Sequence, residues 1–255
     1  MSSTALAQDE RPVAAWAEVR DLLELQLAPL GRRAIEALAP RSGEHVLDIG
    51  CGAGETTRDL ATAVAPDGTV VGIDQSAAIQ AYARRENETK PRVRLIEADA
   101  QHFAFEPQAF DAAYSRFGVM FFADPIAAFQ NICRGLKPNG RLAFICWRAL
   151  DDNPLDRLPL EAAIDHLPPQ PTVDPAAPGP FAFADPDRVL GILADAGFAD
   201  IQVTAHDERV GSGGIDAMLA VCTRVGALGS ILREHPELRE VVLPAVRSAL
   251  ARHAG

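Results

Sequence analysis

Hydrophobic positions change period several times along the chain, and each change marks an element. Over residues 13–38 apolar side chains recur at helical spacing (Trp16, Val19, Leu22, Leu23, Leu25, Leu30, Ile35, Leu38), and Pro29-Leu30-Gly31 is expected to divide them into two helices. Residues 46–49 form an apolar run with one acid, Asp48, short enough for a buried strand; 55–64 returns to helical period. The exchange then repeats. A strand at 69–73, ending on Asp74, follows the turn Pro66-Asp67-Gly68, and a helix runs from a Ser76 cap to about Glu88. Strands follow at 93–98 and 110–117, then a helix from Asp124-Pro125 to Leu136, then a strand at 141–147 after Lys137-Pro138-Asn139-Gly140. Strand and helix alternating at this rhythm predict a doubly wound, Rossmann-like α/β fold. Its sheet is mostly parallel, with ligands at the carboxyl ends of the strands.

The pattern weakens after residue 150. Six prolines lie at 168, 169, 171, 175, 178 and 180, so 151–180 reads as a stiff loop, either a plain surface loop or a cap over a ligand. Asp185-Pro186 opens a helix that ends at Gly197, a strand follows at 200–206, and 213–223 and 236–253 read as helices, the second kinked at Pro244. The expected organisation is a tail over 1–12, a ligand-binding core with N-terminal lid helices over 13–150, a cap over 151–185, and completion of the fold over 186–255.

Candidate chemistry concentrates where the first strand meets Gly50-Cys51-Gly52-Ala53-Gly54. Glycines at alternate positions suit a strand that bends sharply into a helix beneath a ligand, although a purely structural tight turn produces the same pattern. A dinucleotide site takes Gly or Ala at the position Glu55 occupies here, and a carboxylate there opposes a pyrophosphate. S-adenosylmethionine (SAM) carries a sulfonium, an ammonium and one carboxylate but no phosphate, so this acidic, glycine-rich corner suits it better. Asp74 stands 20 positions after Gly54. There it serves either a ribose diol, whose two hydroxyls a carboxylate accepts together, or the N-terminus of the next helix.

Asp48-Ile49-Gly50-Cys51-Gly52-Ala53-Gly54, Asp74, Asp99-Ala100, Ser115 and Leu136-Lys137-Pro138-Asn139-Gly140 resemble, in order and over about residues 40–150, the motifs of the class I SAM-dependent methyltransferases of small molecules. The branch most similar is that of the quinone-biosynthesis C-methyltransferases. The resemblance implies SAM as cofactor, contacted by Asp48, Gly50, Cys51, Gly52, Gly54, Thr57, Asp74, Gln75, Asp99, Ala100, Gln101, Ser115 and Arg116. It further implies that Asp99 and the N–H of Ala100 meet the adenine amine and ring nitrogen, an acceptor and a donor in the right places. Where that branch often has Ser-Phe-Gly, this chain has Ser115-Arg116-Phe117-Gly118, so either Ser115 or Arg116 faces the cofactor. The family's sheet usually ends in an antiparallel hairpin. Here 200–206 supplies one of its strands, and either 218–222 supplies the other or the chain lacks it.

Methyl transfer from a sulfonium is an in-line displacement that needs a positioned acceptor and often a base. The six histidines form no obvious pair, and no catalytic residue is assigned. Phe117, Met120 and Trp147 either line an apolar pocket for an aromatic or prenylated acceptor or belong to the core. Arg116 either anchors an acidic group of the acceptor or pairs with an internal carboxylate. The net charge of −11 argues against a standing nucleic-acid partner. So does the lack of an Asn/Asp-Pro-Pro-aromatic run or a Pro-Cys nucleophile. Cys51, Cys133, Cys146 and Cys222 show no metal or redox spacing, so no metal is expected and a reducing compartment is. Without an apolar leader or a bilayer-length run, the expectation is a cytoplasmic protein with no membrane span. The function expected is methyl transfer from SAM to a small, apolar or aromatic molecule. The alternatives are a SAM-binding protein without catalysis and an NAD-dependent oxidoreductase, the latter disfavoured by Glu55 and the absence of a Tyr-x-x-x-Lys pair. Oligomeric state and acceptor atom are not legible.

Overall fold

Strand β1 (His45–Ile49) takes the centre of the sheet because every residue after His45 is buried, on both faces. It pairs in parallel with β2 (Thr69–Asp74) on one side and with β4 (Phe110–Arg116) on the other. Outside these lie β3 (Val93–Glu97) and β5 (Leu136–Ile145), so the order is β3-β2-β1-β4-β5 with every pairing parallel. The computed structural model describes residues 11–88, 90–170 and 174–253. Of the expected tail, 1–10 lies outside these residues, and Arg11 already belongs to helix α1 (Arg11–Leu38).

Alternation along β1 sends Leu47 and Ile49 to one face, with Phe129, Ile132, Val189 and Ile192 of two covering helices, α4 (Pro125–Gly135) and α6 (Pro186–Asp195). Val46 goes to the other, where it meets Leu60 of α2 (Glu55–Ala63) and Ala34 and Leu38 of α1. Helix α3 (Ala77–Asn87) connects β2 to β3, its N-terminus capped by the Ser76 hydroxyl, which accepts from the N–H of Ile79 at 3.4 Å. Residues 31–147 and 175–206 form this sheet unit.

Several expectations fail for identifiable reasons. The break at Pro29-Leu30-Gly31 does not occur; α1 runs through it. Pro29 is accommodated inside the helix, and Gly31 is there for close approach: a Cβ would lie 2.8 Å from Cδ of Arg116, and the Tyr114 hydroxyl donates to the Gly31 carbonyl at 2.9 Å. Strand β5 begins at Leu136 and ends at Ile145 instead of spanning 141–147. Lys137-Pro138-Asn139-Gly140 loops out within it, since Leu136 pairs with Phe110 and Arg141 with Ala112. Residues 200–206 form no strand, and the sheet of described residues ends at β5. No strand ladder forms there among the described residues, and Val203 is 43% exposed.

Among the described residues, the second unit consists of 11–30, 148–170 with 174, and 207–253. Helix α5 (Pro154–Ala163) occupies a stretch expected to be loop; Pro154 sits in its first turn, where no N–H is needed, and Arg157 pairs with Glu161 one turn on at 2.8 Å. Residues 218–222 fall in helix α7 (Ile215–Cys222), which excludes them as a final strand. Helices α8 (Gly226–Glu234) and α9 (Arg239–His253) follow, α9 containing Pro244, and Ala163, Leu219, Leu228, Leu232, Val242 and Val246 form their shared core. No single helix among the described residues is long and apolar enough to cross a membrane.

Candidate functional site

The strand order changes direction at β1: β2 and β3 build outward on one side, β4 and β5 on the other. A crevice opens at such a switch point, beyond the carboxyl ends of the strands. Here β1 runs directly into the glycine turn. The N–H groups of Gly50 and Cys51 both donate to the carbonyl of Ile73, at 2.8 and 3.2 Å, and Gly54 closes the turn onto the Cys51 carbonyl at 2.9 Å. Gly50, Gly52 and Gly54 have φ of 65°, 56° and 83°. Two of them show why. A Cβ on Gly50 would stand 2.8 Å from the Cα of Gly118, so the ends of β1 and β4 touch backbone to backbone. A Cβ on Gly52 would meet nothing within 4 Å, so that face of the turn is open.

Asp74 completes the turn from β2. Its Oδ2 accepts from the N–H of Gly52 at 3.0 Å and its Oδ1 from the N–H of Ser76 at 2.9 Å, while burial raises its pKa. Each carboxylate oxygen keeps a lone pair, so the cap on α3 and a diol contact are compatible. Gln75 beside it is exposed. Asp48 is fully buried, and its Oδ2 accepts from the hydroxyls of Thr56 and Thr57 at 2.8 and 2.6 Å; its Oδ1 has no protein partner. Cys51 is buried in the turn, and burial raises its thiol pKa far above the usual range.

The third predicted segment lies after β3, where Asp99 Oδ1 accepts from the N–H of Gln101 at 2.9 Å. Asn131 of α4, which no sequence pattern singled out, shapes this loop by donating to the carbonyls of Ala100 and Phe103 at 2.9 and 2.8 Å. Gln101 in turn accepts from the N–H of Asp124 at 3.0 Å, tying the loop to the start of α4.

At the end of β4, Ser115 is fully buried; its hydroxyl donates to the carbonyl of Ile49 at 2.8 Å and accepts from the N–H of Gly118 at 3.2 Å. It clamps β4 to β1. Arg116 is half-buried, lies along Gly31, and is near enough to lower the pKa of Asp48 against the stronger effect of burial. Phe117 has a φ of 59°, uncommon for a bulky residue, and stacks on Trp147 with ring centroids 4.2 Å apart and planes 14° from parallel. Both rings are half-buried. Met120 does not join them as a wall: it is 1% exposed, and its sulfur accepts from the N–H of Trp147 at 3.4 Å from within the core. Its 3-10 turn after Gly118 points the side chain inward, which sequence spacing did not reveal. Among the described residues no cluster of side chains has a metal-binding arrangement.

Burial raises the pKa of Asp48 from 3.8 to about 6. The folded state therefore holds this proton more tightly than the unfolded chain. The contribution to stability is present below about pH 4 and is lost as pH rises toward 6. Asp48→Asn keeps an oxygen for both threonine hydroxyls and should remove that slope, adding about 1–2 kcal/mol near pH 7. Urea unfolding midpoints from pH 4 to 7 test this; parallel profiles for the two proteins would refute it.

Comparison with known proteins bears on the family and the fold. A family model described as a methyltransferase domain matches residues 46–140. Aklanonic acid methyltransferase DauC of Streptomyces sp. (strain C5) is 33% identical over 150 residues, covering 56% of this chain and 68% of that protein. Demethylmenaquinone methyltransferase of Staphylococcus aureus is 33% identical over 109 residues, covering 43% and 45%. The matched regions span from about a third to two thirds of the lengths of the curated relatives. A solved SAM dependent methyltransferase from Aquifex aeolicus superposes with a TM-score of 0.52 at 21% identity, covering 71% of this chain and 87% of the other; it shows the shared fold.

Proposed function

The chain belongs to the class I SAM-dependent methyltransferases, and from that premise we propose that it transfers a methyl group from SAM to a small, apolar or aromatic acceptor. The observation that carries this is the turn at Gly52. Its N–H is fixed by Asp74, its side-chain face is open, and acids stand around it at the switch point of the sheet. An adenosyl ligand with a cationic centre fits such a cradle, whereas a pyrophosphate would face Glu55 in the first turn of α2 and the buried carboxylates of Asp48 and Asp74. The two curated relatives are named for aklanonic acid and demethylmenaquinone, neither of them a nucleic acid or a protein, which supports a small-molecule acceptor.

In this reading the backbone of Gly50 to Gly54 bears the amino-acid end of SAM, Asp74 accepts the ribose hydroxyls, and Asp99 with the N–H of Ala100 meets adenine. Gln75 and Gln101 flank the two acids, and Cys51 fills the floor. Asp48 offsets cationic charge, held in place by Thr57. Ser115 keeps β1 and β4 together beneath the ligand. Bound SAM supplies a methyl group activated by a sulfonium. The chain's task is then to hold an acceptor in line and exclude water, and positioning alone supplies much of the rate. We assign the stacked pair Phe117 and Trp147 to the acceptor's apolar face and Arg116 to its polar end. The insertion after β5 is assigned to acceptor choice. No general base is assigned. All four cysteines are unpaired, which supports placing the protein in the reducing cytoplasm.

Calorimetric titration with SAM, S-adenosylhomocysteine and NADH in parallel, followed by methyl-labelled SAM with aromatic and quinone acceptors, tests this. Binding of both adenosyl ligands but not NADH, with label transferred to an acceptor, is the expected outcome. Failure to bind either adenosyl ligand would sink it.

A further inference from the structure

Resting on the reading of the glycine turn as a SAM cradle, we propose that Gln80 is a positioning residue for it. From α3, Gln80 holds the carbonyl of Gly52 while Asp74 holds that residue's N–H. Gln80 is 0% exposed, and its Nε2 lies 3.2 Å from Sγ of Cys51 and 3.4 Å from the carbonyl oxygen of Gly52. The carbonyl can only accept, so the amide nitrogen must be the atom that faces it. Gly52 sits at φ 56° with no neighbour on its Cβ side. Glycine has the weakest backbone preference of any residue, so its two peptides need external restraint to keep one orientation toward a ligand. Asp74 and Gln80 supply it from opposite ends. They are themselves linked: the other oxygen of Asp74 accepts from the N–H of Ser76, whose carbonyl accepts from the N–H of Gln80 at 2.9 Å.

Packing alone does not account for the residue. The Oε1 of Gln80 has no protein partner, and neither has Oδ1 of Asn87, seven positions along the same face of α3, where its Nδ2 lies 2.8 Å from the place a Cβ on Gly54 would occupy. A buried amide with half its hydrogen bonds unmet lowers stability relative to an apolar residue of equal size. What the amide adds is a donor aimed at the cradle.

The variant Gln80→Met keeps length and helix preference and removes the amide, that is, the donor aimed at the cradle together with the unpartnered Oε1. S-adenosylhomocysteine, titrated into wild-type protein and Q80M, should bind the variant about fivefold to tenfold more weakly, the scale of one modest hydrogen bond. The unliganded variant should unfold at the same or a higher urea concentration. Its amide hydrogens at 51–54 should exchange faster, while those of α3 keep their protection. A packing role would move these readings the other way, lowering stability and α3 protection and leaving affinity unchanged. Gln80→Leu serves in the same assays should Q80M not fold; failure of both to fold makes Gln80 a packing residue and overturns the proposal. If wild-type protein binds no S-adenosylhomocysteine, the cradle reading falls and this inference with it. Wild-type binding matched by Q80M overturns the inference alone.

Discussion

Gly50→Ala is expected to destabilise the protein by about 3 kcal/mol, combining a left-handed backbone at a residue with a Cβ and a forced separation of packed strands. The second effect is the particular one. The new methyl would lie 2.8 Å from the Cα of Gly118, and backbone cannot rotate out of the way as a side chain can. To make room, the end of β4 must move from β1, which strains the Ser115 hydroxyl bond to Ile49 and the Phe117 turn beyond it. Gly52→Ala is the control: φ is similar, but nothing stands within 4 Å, so its stability cost should be near the backbone strain alone, about 1 kcal/mol. Its effect should appear in ligand binding instead, because the methyl projects into the open face. Urea denaturation of the two variants separates these outcomes. Equal losses for both would mean that the contact between Gly50 and Gly118 carries no stability.

Asp74→Ala should weaken binding of SAM and S-adenosylhomocysteine by about 1–3 kcal/mol, the cost of removing a charge-assisted acceptor. Two losses combine in this variant: the proposed ribose contact, and the restraint on Gly52, whose N–H would lose its acceptor at 3.0 Å. Asp74→Asn should recover little, because an amide that accepts from one of the two N–H groups turns its own N–H₂ toward the other. Calorimetry at neutral pH gives the affinities directly. Were affinity unchanged while stability fell by about 1 kcal/mol, Asp74 would be a helix cap and nothing more. The pKa of Asp74 is raised by burial, so the variants and the wild-type protein are to be compared at one fixed pH.

These residues differ in how visible they were in the chain. The glycine turn and Asp74 were legible because their requirement is local: a strand that must bend within five residues needs left-handed positions, and an acid at the next strand end follows from spacing. The caps Ser76, Asp124 and Asp185 were legible for the same reason, each satisfying an N–H two or three residues on. Gln80, Asn131 and Gly118 were not. Each acts on a residue far away in sequence, and nothing in an amide within a helix or a glycine after Phe117 says which carbonyl or backbone it will meet. Met120 shows the converse, an apolar residue in a promising segment whose side chain the turn directs into the core.

By itself, then, the sequence determined the order of strands and helices from the first strand to the fifth and the parallel sheet that this order compels. All of these follow from hydrophobic period, capping residues and backbone conformations confined to a few consecutive positions. Tertiary structure decided the rest. It made one helix of 11–38 in spite of Pro29, left 200–206 without a ladder, turned 154–163 and 226–234 into helices, and closed Gly50 against Gly118. Each of these outcomes depends on a partner supplied from elsewhere in the chain. A strand pattern needs a neighbouring backbone, a helix containing proline needs a face to bury, and a close approach needs two glycines that meet only when the sheet has formed.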